Sequence, residues 1–131
     1  MKYLEDFYGL PCYFVKDGRE RDIIANSSGH RSFIACCARL KKGGHAILLF
    51  EEYYMLPAAY RRFVLYHEAG HAFAGNAEEA ANRWALEHYP GNGRKAMEVL
   101  YGLTPWVRTE TRKRLGLPPK EVHPEKIPWP E

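Results

Sequence analysis

Between Pro57 and Gly75 the chain carries no helix breaker except Gly70, and this stretch contains His67-Glu68-Ala69-Gly70-His71. Proline is tolerated in a first helical turn because its missing N–H would have no partner there, and glycine is favoured just past a helix end. The punctuation therefore predicts one helix from Pro57 to Phe73, stopped at Gly75. On a helix, positions i and i+4 lie about 40° apart around the axis and one turn apart along it. Both imidazoles can reach a single metal ion, and Glu68 sits on the flank where its carboxylate can meet a water at that ion. At this chain's frequencies of His and Glu the pattern would arise by chance roughly 0.03 times. The alternative is a helix whose two histidines are satisfied by ordinary hydrogen bonds.

A catalytic metal site needs a third protein ligand and an open position. The longer motif that supplies a third histidine requires Gly at 74 and His at 77, where this chain has Ala74 and Ala77. A glutamate from a following helix is the remaining common solution, and Glu78 and Glu79 are adjacent candidates. Asn76 followed by Glu79 resembles a capping box for a helix over about 77–88. That box would occupy Glu79 with the Asn76 backbone and leave Glu78 free to turn toward the metal. Asn82 lies one turn after Glu78 on the same face, where its amide can accept from the distal N–H of a ligand histidine and fix the tautomer. On a single straight helix His71 and Glu78 would stand about 10 Å apart along the axis. The assignment therefore requires the chain to reverse at Gly75-Asn76.

The flanking segments predict an α+β fold: a small antiparallel or mixed sheet of about three strands, packed on the helix that carries the histidines and on the helix after it. Residues 12–15 read as a short strand, 32–40 as a strand or short helix, and 46–50 as a strand buried on both faces. Pro90-Gly91-Asn92-Gly93 ends the second helix. A third helix is expected over 94–101, closed by Gly102, and a fourth from Thr104-Pro105 to Gly116. One domain over 1–116 is expected, followed by a proline-rich tail over 117–131.

Composition excludes several classes. A net charge of +3 from 19 Lys+Arg and 16 Asp+Glu is too mild to require nucleic acid. Direct nucleic-acid binding is not expected, although Arg108, Arg112, Lys113 and Arg114 form a local basic run. The longest apolar stretch, 33–38, falls far short of the roughly 20 residues of a membrane span. The charged N-terminus does not resemble a signal peptide. Three cysteines, two of them adjacent at 36 and 37, do not form a disulfide framework or a paired metal motif, so a cytoplasmic setting is expected.

The segment 63–89, FVLYHEAGHAFAGNAEEAANRWALEHY, resembles the ImmA/IrrE family of small gluzincin-like metallopeptidases, found in phages, mobile elements and bacteria. The family motif is HExxH followed by a helix of the form E-x-x-A-[ND]-x-[FW]-A. Here that helix reads Glu78-Glu79-Ala80-Ala81-Asn82-Arg83-Trp84-Ala85, matching every specified position. The resemblance implies a minigluzincin-like fold, Zn²⁺ bound by His67, His71 and Glu78, and Glu68 as the catalytic base. It implies a protein substrate, a transcriptional repressor of a phage or stress regulon. Six residues separate His71 from Glu78, fewer than in many relatives, which implies a more open cleft. The residue that stabilises the oxyanion is left open among His88, Tyr66, Tyr89, Tyr53 and His45. Two other functions are compatible with the same residues: a catalytically silent metal-binding module or anti-repressor acting by binding alone, and a zinc hydrolase of a non-peptide amide.

Overall fold

The computed structural model describes residues 1–27 and 34–114. The fold is α+β, with a mixed sheet of four strands in the order β1-β2-β4-β3. These are β1 (Lys2–Phe7), β2 (Leu10–Phe14), β3 (Ala35–Arg39) and β4 (His45–Leu49). β1 and β2 form an antiparallel hairpin across Tyr8-Gly9, β2 runs parallel to β4, and β3 runs antiparallel to β4. The sheet is thus one strand larger than expected. β1 escapes sequence reading because most of its side chains are exposed and charge interrupts its apolar alternation. β4 lies inside the sheet and is buried as its continuous apolar run predicts. The sequence 32–40 resolves as a strand where it is described, with Ser32 and Phe33 lying outside the described residues.

One face of the sheet, through Ile47, Leu49, Ala35 and Cys12, packs on Leu65 and Ala69 of helix α2 (Ala58–Ala74). The other face, through Val15, Leu48 and Phe50, meets Ile24 of helix α1 (Arg19–Ser27). α1 has no counterpart in the sequence reading because its sequence is polar and lacks a sustained apolar stripe. Arg21 anchors it. Its guanidinium is buried, pairs with Asp17 and with Glu52 at 2.7 Å, and lies over the Phe50 ring. Glu52 belongs to the 3₁₀ turn Glu51–Met55 that leads into α2.

Helix α3 (Glu78–His88) folds back along α2. The contact is close because Gly70 has no side chain: a Cβ there would stand 2.5 Å from the Ala81 carbonyl oxygen and 2.9 Å from its Cα. Ala81 and Ala85 are fully buried on the same seam. Helix α4 (Gly93–Arg114) then crosses, burying Ala96 and Met97 against Phe63 and Ala85.

α4 corrects the expectation of two helices. Gly102 and Thr104-Pro105 do not interrupt it. Met97, Leu100, Tyr101, Thr104 and Val107 follow helical spacing across the proline and all face one cleft, and Val107 is fully buried. Burial on both sides of Pro105 outweighs the lost N–H bond, worth roughly 3 kcal/mol in an unsupported helix. Thr104 also donates its hydroxyl to the Leu100 carbonyl at 2.9 Å, within the turn that precedes the ring. Gly116 and the tail over 117–131 lie outside the described residues.

Gly70→Ala is expected to destabilise the fold by about 1–3 kcal/mol by forcing α3 off α2. Arg21→Ala should cost about 3–5 kcal/mol by leaving the Glu52 carboxylate buried without its cation. Both are read by denaturant unfolding, and a near-neutral result for either would show that the seam or the ion cluster relaxes freely.

Candidate metal centre

His67 and His71 project from one face of α2, with ring centroids 4.7 Å apart and planes nearly perpendicular. Glu78 is the first residue of α3 and reaches back over both. Its two carboxylate oxygens lie 3.0 Å from His67 Nε2 and 3.1 Å from His71 Nε2, and the two Nε2 atoms are 3.1 Å apart. Ligands held about 2.0–2.1 Å from a tetrahedral ion stand about 3.3 Å from one another, close to this triangle. The three side chains could therefore hold one metal ion.

The outer hydrogen bonds decide which way the imidazole lone pairs point. His67 Nδ1 lies 2.7 Å from Asn82 Oδ1, and His71 Nδ1 lies 3.2 Å from the Gly75 carbonyl oxygen. Both partners only accept, so both Nδ1 atoms carry hydrogen and both Nε2 atoms present lone pairs. In the neutral rings two lone pairs and a carboxylate then converge on one point, where a metal ion could sit; without one, protons on the Nε2 atoms bond the carboxylate. The titration behaviour follows. Hydrogen bonding to His67 and His71 holds Glu78 far below the usual carboxylate range. Burial opposes the charged form of His67, but the Glu78 hydrogen bond and the Glu68 charge outweigh it, and the net direction is upward. His71 is raised chiefly by its hydrogen bond to Glu78.

The chain reverses between α2 and α3 as the ligand spacing requires. Gly75 takes φ +106° and ψ 179°, a region open essentially to glycine alone. The expected capping box is absent. Ala77 is the N-cap of α3 and makes no side-chain cap bond, and Glu79 pairs loosely with Arg83 on the exposed side. Glu78 and Glu79 are separated instead by helix phase: adjacent residues point about 100° apart, and only Glu78 faces α2.

Glu68 is buried and lines a cleft of about 590 Å³ with His67, His71, Glu78 and Asn82. The cleft is closed on one side by β3 and on the other by α4. Cys37 lies along it, while the Cys36 side chain packs in the opposite layer with Val15 and Phe50; both are half-buried, with thiols pushed up to about 12 by burial and by the Glu68 charge. They are protonated at neutral pH and are not in the ligand triangle.

Of the five oxyanion candidates the cleft takes only His45. Tyr66, one residue before His67, is turned away on α2 and packs edge-on against Phe7 and Tyr89. His88 stacks on Trp84 at 3.9 Å and bonds the Trp84 carbonyl. Tyr53 is core, and Tyr89 donates to the Ala59 carbonyl. Sequence reading overlooked Tyr101, which lines the cleft and receives an N–H from Asn82 Nδ2 at 3.2 Å. Its place on the helix face of Met97, Leu100 and Thr104 was hidden by the expected break at Gly102.

Comparison of the chain with protein-family models, with curated proteins and with solved structures finds no match.

Asn82→Ala should lower metal affinity about 10–100-fold by freeing the His67 ring. Glu78→Gln should weaken binding far more than Glu79→Gln, and equal effects would remove Glu78 from the site. Without metal, the raised histidines stabilise the fold fully below their ordinary value of 6.5 and lose that contribution as pH rises through their folded values. Glu78 contributes above its ordinary 4.5 and loses it as pH falls through its folded value. Thermal melts of metal-free protein should thus favour wild type over His67→Ala most between these limits. An advantage that grows above pH 7 would contradict the coupling.

Proposed function

We propose that the chain is a zinc-dependent metallopeptidase of gluzincin type, hydrolysing a peptide bond in a specific regulatory protein. The observation that carries this reading is the convergence of two imidazole lone pairs and the Glu78 carboxylate on one point, with both distal N–H groups capped by carbonyl oxygens. A His₂Glu donor set with Nε2 ligands suits zinc and leaves a coordination position open. When bound, the ion supplies Lewis-acid polarisation of a carbonyl and lowers the pKa of a water toward about 7.

The chain's own groups supply the remaining chemistry. Glu68, buried beside His67, takes a proton from the attacking water and hands it to the departing amine. Asn82 and the Gly75 carbonyl hold the imidazoles in one tautomer. Because Tyr101 accepts from Asn82, its own hydroxyl hydrogen is available to a carbonyl in the cleft. Among the described residues no strand lies on the outer side of β3, so an extended peptide can add there along the cleft. β4 offers no such edge, because it is paired on both sides. By its resemblance to the ImmA/IrrE family, the substrate is a transcriptional repressor.

Glu68→Gln is expected to keep zinc and thermal stability while abolishing turnover of a peptide mixture or of a purified repressor. Chelation should silence the wild type and added Zn²⁺ restore it. Undiminished cleavage by Glu68→Gln would remove that residue from the mechanism. Tight zinc binding with no cleavage by the wild type would identify a module that acts by binding alone.

A further inference from the structure

Arg39 and His45 are paired across the open end of the β3–β4 ladder. Directly opposed residues of an antiparallel pair stand side by side on one face. Counting by twos, that face is the one of Ala35, Ile47 and Leu49, which packs on Leu65 and Ala69 of α2. The intervening Cys36, Ala38 and Leu48 face the opposite layer with Val15 and Phe50. Arg39 and His45 are thereby directed to the α2 side, and both line the cleft that holds His67, Glu68 and His71.

The hairpin that carries them is strongly one-signed. Lys41 and Lys42 occupy its exposed turn, and no acidic residue occurs between Ile34 and Phe50. Other arginines are engaged: Arg21 with Asp17 and Glu52, Arg62 with Glu5, and Arg61 over Tyr53 and Tyr54. Among the described residues the Arg39 side chain makes no ion pair, hydrogen bond or ring contact. A divalent ion would be offset by the Glu68 and Glu78 carboxylates. The charge left over in the cleft is then that of Arg39.

We propose that Arg39, with His45 beside it, is a carboxylate-binding subsite, so that preferred substrates present an aspartate or glutamate close to the cleaved bond. This rests on the peptidase reading. An extended peptide paired with the edge of β3 sets one residue directly opposite Arg39 on the cleft-facing side, with Cβ atoms about 5 Å apart. A guanidinium fork matches a carboxylate with two parallel hydrogen bonds. His45 adds a ring N–H, and Lys41 and Lys42 draw an acidic segment toward the cleft from solution.

The test is cleavage of a peptide mixture randomised at every position, read by mass spectrometry, with wild type, Arg39→Gln and Arg39→Glu. An acidic residue at one fixed distance from the cut should be preferred about tenfold over its amide, the size of one charge-assisted contact. Arg39→Gln should abolish the preference and Arg39→Glu invert it toward Lys, with zinc affinity and melting temperature unchanged. The Glu and Gln forms of the best peptide should show the same ratio in binding to zinc-loaded Glu68→Gln protein, without turnover. Amidating the peptides separates the sources: a preference that survives belongs to a side chain, and one that disappears belongs to a terminal carboxylate and overturns the side-chain assignment. Cleavage with no acidic preference, or with a preference indifferent to Arg39, overturns the subsite and leaves the peptidase reading standing. Cleavage of nothing overturns both.

Discussion

The approach of α3 to α2 at Gly70 is the constraint on which the rest of the site depends. Glu78 can span two histidine rings only if the backbone of α3 lies almost in contact with that of α2. The 2.5 Å separation between a notional Gly70 Cβ and the Ala81 carbonyl shows that no side chain fits there. Ala81 and Ala85, both fully buried, keep the inner face of α3 small. Gly75 completes the arrangement by taking a backbone conformation that other residues do not hold without strain. Two glycines, one for space and one for direction, thus place a carboxylate over two imidazoles.

The placement concentrates electrostatic conflict and then resolves it locally. Distal acceptors on both histidines hold their Nε2 atoms unprotonated in the neutral form, and a carboxylate is brought to the same point. In the absence of an ion, protons relieve that conflict, which is why both histidines are raised and Glu78 lowered. The chain of contacts from His67 through Asn82 to Tyr101 ties the cluster to α4. The wall that carries Tyr101 is therefore mechanically joined to the ligand it faces. On the back of the sheet, the Arg21 cluster fastens α1 to the turn that launches α2.

Much of this could be read from residues alone, for identifiable reasons. The spacing of His67 and His71 and the stop at Gly75 depend only on helix geometry. No capping box sets Glu78 apart from Glu79, since Ala77 caps α3 without a side-chain bond; helix phase turns Glu78 alone toward α2. Local punctuation misled at Gly102 and Pro105, where a buried face on either side carries one helix through both. β1 and α1 were missed because polar surface elements leave a weak hydrophobic period. Tyr66 and His88 were candidates because they neighbour the motif in sequence, yet helical rotation turns one into an aromatic cluster and ring stacking holds the other.

By itself the sequence determined the helix that carries both histidines, the direction reversal after it and the set of side chains able to bind an ion. Each follows from short-range geometry within one or two helical turns. Only the tertiary structure decided what surrounds that set: which strand borders the cleft, that Tyr101 and Arg39 face it, and that Cys37 lies beside it as a protonated thiol. Those properties depend on strand order and on packing between segments far apart in the chain. No local pattern encodes them, because the burial that selects them exists only once the layers have met.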